Sequence, residues 1–178
     1  MPETAKTPMH CPFCDIIRGA GEVSVCYEDA VSMAFMDIQP VNDGHVLVVP
    51  REHYARLEDL PRALGLHLYQ VATQLIPVVQ QVAGTRDMNI VVNSGSLAGQ
   101  DVHHFHVHLI PRCPDDGFDV PLPFPGSAMP HRQRLDALAA RIIATLRDPM
   151  RPTPGAPGAG TAVGAAPRPV GGAPAAVR

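Results

Sequence analysis

The sequence predicts an α+β fold, a five-stranded antiparallel sheet with a long helix and a C-terminal helix, and three observations carry that expectation. Two stretches, VSVCYED and VSMAFMD, alternate apolar and polar residues and lead through the turn-rich PVNDGH to VLVV. A long amphipathic pattern runs from Asp59 to Val82. Two more apolar stretches, NIVVN and HFHVHLI, then flank the Gly-rich SGSLAGQ.

Alternation with period two is the mark of a half-buried strand, so the first three stretches read as an antiparallel meander. In the long pattern, Leu60, Leu64, Leu68, Val71, Leu75 and Val79 share one helical face. Pro61 lies near its first turn and Gly84 just past its end, with Pro77 inside as the place for a kink. NIVVN and HFHVHLI supply strands four and five, and the helices are expected on one side of the sheet. His131 to Arg147 places Leu135, Leu138, Ile142 and Leu146 at helical spacing, closed by Pro149. From there the chain is Pro, Gly and Ala with almost nothing large to bury, which predicts a disordered tail. The expected organisation is a flexible start over 1–9, one domain over 10–148 and the tail over 149–178, without internal repeats.

With 178 residues, 46% of them hydrophobic, the chain has room for one real core. Its net charge of −3 gives no electrostatic reason to expect a grip on nucleic acid or an anionic membrane. No apolar run approaches the roughly 20 residues of a membrane span, and MPETAKTPMH lacks a signal-peptide core. A cytoplasmic protein is expected. There the Cys11 and Cys14 pair favours a metal over a disulfide, while Cys26 and Cys113 stand alone.

Successive side chains of a strand alternate faces, so a strand over HFHVHLI would line up His104, His106 and His108 at roughly 7 Å intervals. Phe105, Val107 and Leu109 would form the packed back. Chance clustering on a solvated face explains one histidine better than three in alternation. Neutral imidazole serves near pH 7 as nucleophile, base or metal ligand. The preceding SGSLAGQ is either an ordinary strand connection or a turn whose backbone N–H groups meet an anion. Cys11 and Cys14 have zinc-knuckle spacing but need two further ligands, and a redox pair is the rival reading, although CPFC follows no strand of a βαβ unit. His10, His67, His103 and His131 have no assigned partner; Asp37 and Asn93 are by default turn residues.

HFHVHLI, inside GQDVHHFHVHLIPR, resembles the signature of the histidine triad family. CPFCDIIRG, YEDAVSMAFMDIQPVNDGHVLVVPREH and NIVVNSGSLAGQ resemble its Hint-type branch of nucleoside phosphoramidases, so the likeness runs from about His10 to Arg112. It implies that His106 is the nucleophile toward the α-phosphorus of a purine nucleotide conjugate, that His108 contacts nonbridging phosphate oxygens and that His45 supports both. Asn93, Gly99 and Gln100 match phosphate-loop contacts, Asp37 the ribose carboxylate, and Phe13, Phe35 and Ile38 the walls around the base. Relatives with the CxxC start imply a structural zinc held by Cys11, Cys14, His53 and His104. Asp101 departs from the serine these relatives carry beside the leaving group. The resemblance implies a hydrolase of AMP conjugates acting through a nucleotidyl-histidine, paired as a homodimer by the long helix and the NIVVN strand. Alternatives are a dinucleoside polyphosphate hydrolase and a non-catalytic purine nucleotide-binding protein.

Overall fold

The computed structural model describes residues 10–119 and 129–148. The expected start over 1–9 and tail over 149–178 lie outside the described residues. The chain divides into two units, the break falling after residue 120.

The first unit begins with α1 (Pro12–Ile17) and continues through β1 (Val25–Glu28), β2 (Ser32–Met36) and β3 (Val46–Pro50). A 3-10 turn (Leu57–Asp59) leads to α2 (Arg62–Ala83), β4 (Met88–Val91), a second 3-10 turn (Ser96–Ala98) and β5 (Val107–Pro111). The strands form one sheet in the order β1-β2-β3-β5-β4, and every pairing is antiparallel. β5 therefore sits between β3 and β4, and β4 is an edge. The expected fold class is the one observed.

β2 and β3 are covered on both faces, which the alternation in the sequence does not reveal. Ala34, Val46 and Val48 enter a core with Leu68, Val71, Leu75 and Val79 of α2. Their neighbours Met33, Phe35, Leu47 and Val49 enter a second core with Cys11, Phe13 and Cys14 of the α1 region. Helices thus cover both faces, not one as expected. At six residues, α1 is too short to show periodicity, although Pro12 in its first turn marks its start.

α2 begins three residues later than expected and runs unbroken through Pro77. Gly84 closes it at φ +69°, in the left-handed conformation that a glycine adopts without steric cost. Gly44 also has positive φ, at +91°, and a Cβ there would lie 3.3 Å from Cγ of Pro111. That close approach brings the turn onto β5 and delivers His45, the next residue, to the start of β3.

In the second unit α3 (Arg132–Arg147) is a helix with Leu135, Leu138, Ile142 and Leu146 exposed. Among the described residues no helix is long and apolar enough to cross a membrane.

Candidate active site and metal centre

β5 begins only at Val107, so His104 and His106 precede the strand instead of lying within it. The amide of Phe105 donates to the carbonyl of Tyr54 at 2.6 Å, tying this lead-in to the segment after β3 and away from the ladder. The alternation survives all the same. Phe105, Val107 and Leu109 are buried in the core beneath α2, while the histidines point the other way. The row is bent, and its members meet different neighbours.

His104 turns toward the cysteines. Its Nε2 lies 2.9 Å from the Pro50 carbonyl, which can only accept, so Nε2 carries the proton and Nδ1 presents a lone pair. That Nδ1 is 3.6 Å from both Cys11 Sγ and Cys14 Sγ, and His53 Nδ1 is 3.4 Å from Cys14 Sγ. One ligand atom from each of the four residues lies within 4.8 Å of the others. Two ligands on a tetrahedral zinc, with Zn–S of about 2.3 Å and Zn–N of about 2.0 Å, stand roughly 3.5 Å apart. The donor set fits that ion in type, number and spacing. Burial, with Cys11 next to it, pushes the Cys14 thiol up to about 11, and burial holds His104 down to about 4. Neutral imidazoles suit the ion directly, whereas the thiols must lose their protons to it.

His106 and His108 turn toward a cleft of about 460 Å³. His106 Nδ1 is 2.7 Å from the carbonyl of His104 and therefore holds the proton, which leaves the Nε2 lone pair free. Phe13 meets the His106 ring edge to face with centroids 5.3 Å apart, fixing its plane. His45 Nδ1 accepts from the Val41 amide at 3.2 Å, so its proton sits on Nε2 and points at His108 Nδ1, 3.0 Å away. His108 in turn carries its proton on Nε2. Asp37 Oδ2 stands 3.5 Å from His45 Nε2. Asp37, His45 and His108 gather three donor atoms as closely as the cysteine cluster does. With Val41 occupying the Nδ1 lone pair of His45, however, its Nε2 has a proton to give and no lone pair for an ion. His45 instead relays hydrogen bonding from the Val41 amide to His108, with Asp37 beside it.

Burial lowers the pKa of His45 and His106 and brings His108 down to about 4, the charges of His106 and His45 adding to the effect on His108. Asp37 and Asp101 pull His106 the other way without outweighing burial. All three imidazoles are neutral at pH 7.

Of the expected nucleotide residues, Phe13, Phe35, Asp37, Ile38, Asn93, Gly99 and Asp101 line this cleft with the three histidines. Gln100 is turned inward. Its Oε1 accepts from the Gly95 amide at 2.7 Å, and its Nε2 donates to the carbonyls of Ala55 and Val102 at 2.7 and 3.0 Å. Its side chain shapes the loop from inside. The loop also satisfies itself: the amides of Ala98, Gly99 and Gln100 bond to carbonyls of Gly95 and Ser96. The expectation that its backbone N–H groups face an anion therefore does not extend to these amides, and Asn93 reaches the loop through Nδ2 to the Gly99 carbonyl at 3.2 Å.

Phe118 lines the cleft and was not expected. Arg112 lies 4.9 Å over its ring, and Asp116 joins the Arg112 side chain to the Phe118 amide, so the aromatic is clamped in place. No sequence motif signals it, because the clamp closes around an irregular turn. His67 and His103 also acquire partners, Asp29 at 2.8 Å and Ser96 at 3.0 Å.

The model of the HIT domain matches residues 19–115, more than half of the chain. The chain belongs to the HIT domain family. An adenylylsulfatase of Arabidopsis thaliana is 30% identical over 145 residues, covering 82% of this chain and 72% of that one. An adenosine 5'-monophosphoramidase of Schizosaccharomyces pombe is 33% identical over 120 residues, 66% of this chain and 84% of its own. The crystal structure of a HIT family protein from Bacillus anthracis superposes with a TM-score of 0.72 at 31% identity, covering 78% of this chain and 99% of that one. That of a zinc-bound histidine triad family protein from Mycobacterium smegmatis gives 0.59 at 28% identity, covering 79% and 98%.

The buried histidines of this HIT domain carry a stability signature. Their folded pKa lies below the ordinary 6.5, so between pH 6.5 and about 4 the unfolded chain binds more protons than the folded one. The contribution is complete above pH 6.5 and is lost as pH falls toward 4. The urea midpoint should drop over that window, and His108→Gln should reduce the drop. A slope unaltered by the substitution would contradict the assigned burial of a neutral imidazole.

Proposed function

We propose that this protein hydrolyses AMP conjugates of the nucleoside phosphoramidate type through a nucleotidyl intermediate on His106. The observation that carries the reading is the tautomer of His106: its proton is tied to the His104 carbonyl, and a free Nε2 lone pair faces a cleft large enough for a small ligand. The relatives named as a monophosphoramidase and an adenylylsulfatase, which both act on AMP conjugates by name, support the substrate class.

In the first step the Nε2 lone pair of His106 attacks the α-phosphorus, the bond from phosphorus to the leaving group breaks, and a leaving amine takes a proton from water. The Nδ1 proton stays on the His104 carbonyl, which steadies the ring as it becomes cationic. Nε2–H of His108, aligned by the proton that His45 gives to its Nδ1, donates to a nonbridging phosphate oxygen. Water then attacks the same phosphorus, the bond from phosphorus to Nε2 breaks, the proton this water loses neutralises the hydroxide left by the first step, and AMP departs with His106 neutral again. Asp37 accepts from the ribose hydroxyls, and Phe13, Phe35 and Ile38 flank the base.

Cys11, Cys14, His53 and His104 hold a structural zinc in this reading. A zinc held there would supply charge neutralisation and a cross-link between α1 and the lead-in to β5. The zinc-bound neighbour supports zinc as the metal. Thiolate ligation suits the reducing cytoplasm. A second copy of the chain is placed along α2 and the free edge of β4, where Leu66, Tyr69, Val78, Val82 and Ile90 are exposed.

His106→Asn should lower AMP release from adenosine phosphoramidate by at least about a thousandfold. Equal rates in the two proteins would refute the mechanism. Purified protein should contain one zinc per chain, and a chelator should lower its thermal midpoint while leaving that of His104→Ala, which binds little zinc, nearly unchanged. A chelator-insensitive wild type would remove the metal from the account. Sedimentation at micromolar concentration should give a dimer, and Ile90→Lys with Val78→Lys should give a monomer; a wild-type monomer would refute the pairing.

A further inference from the structure

The described residues that line the cleft include three carboxylates, those of Glu22, Asp37 and Asp101, and neither a lysine nor an arginine. Glu22 and Asp101 are exposed and form no ion pair among the described residues. Asp37 is partly occupied, accepting from the Gln39 amide at 2.9 Å and standing beside His45. The loop adds little positive potential, since the amides of Gly95, Ala98, Gly99 and Gln100 are already bonded within it. His108, whose Nδ1 accepts from His45, offers the cleft an N–H dipole through its Nε2.

Such a cleft accommodates one phosphate monoanion through the His108 N–H, and each further negative charge enters an unfavourable field. Asp101 follows the Gly-rich loop directly and lines the same cleft as His106. Asp37 stands with His45 and His108 instead. We infer that Asp101 sets leaving-group specificity: it selects AMP conjugates whose leaving group is a cationic amine and disfavours those that release an anion such as sulfate or a nucleoside phosphate.

The inference rests on the proposed chemistry at His106 and refines it. The step is unchanged: the bond from phosphorus to nitrogen breaks, the amine collects a proton from water, and a second water releases AMP. A positive charge on the amine side, whether carried by the substrate or developing as the nitrogen is protonated, is stabilised by the carboxylate of Asp101. With an anionic leaving group the same carboxylate opposes both binding and departure.

The test uses three AMP phosphoramidates of equal chain length, on amines ending in an ammonium, a methyl and a carboxylate. The ratio of kcat/KM for the cationic over the anionic conjugate is read within each protein, so each variant is its own control. The wild type should prefer the cationic conjugate by on the order of tenfold at low salt, with the neutral one between, and added salt should compress the ratio. Asp101→Asn and Asp101→Ser should bring the ratio near one, and Asp101→Lys should invert it. A wild-type ratio near one, or a ratio that the three substitutions leave alone, overturns the inference while turnover of the neutral conjugate keeps the chemistry at His106. Failure of the wild type to release AMP from any of the three overturns both.

Discussion

The alternation of side chains from His104 to Leu109 is the constraint on which the rest of the site depends. Phe105, Val107 and Leu109 are at most 1% exposed and packed under α2. Burying three large apolar groups on one side contributes several kcal/mol, about 1.5 to 3 for each, and leaves no freedom in where the three histidines go. They must emerge on the opposite side, toward α1 and the cleft. What each ring then presents is decided by the group its nitrogen meets, a backbone carbonyl for His104 and His106 and the His45 ring for His108.

Backbone groups assign the tautomers. The Pro50 carbonyl takes the proton of His104 Nε2 and aims Nδ1 at the thiols; the His104 carbonyl takes that of His106 Nδ1 and frees Nε2. The Val41 amide fills the Nδ1 lone pair of His45 and sends its proton to His108. One imidazole chemistry thus presents a lone pair to the thiols, a free lone pair to the cleft and an N–H donated from one ring to the next. His104 connects the cysteine cluster to the cleft, since its Nδ1 faces Cys11 and Cys14 while its own carbonyl orients His106. A metal that fixes the first ring therefore steadies the second.

The parts of this arrangement legible in the sequence are those with a period or a fixed spacing. Five strands and the long helix follow from alternation and from the Leu60 to Val79 stripe, and Gly84 marks the helix end correctly. Cys11 and Cys14, singled out by spacing, and His53 and His104, added by family likeness, do converge. What escapes has no period: α1 is too short, and the lead-in over His104 to Phe105 looks like strand until the Tyr54 carbonyl is seen to claim its amide. Gln100 and Phe118 show the same limit from opposite sides. Gln100 stands beside a Gly-rich loop and turns its side chain into it, whereas Phe118 belongs to no motif and reaches the cleft through the Arg112 and Asp116 clamp. Both depend on contacts of irregular backbone.

The central claim, that the free Nε2 of His106 forms the covalent bond, is tested most directly by quenching the protein within milliseconds of mixing with adenosine phosphoramidate and mapping the adduct by mass spectrometry. The account predicts an adenylyl group on His106, attached through Nε2, that appears before AMP accumulates and decays as AMP is released. AMP release with no protein-bound adenylyl group at any time, or with that group on His104 or His108, would contradict it.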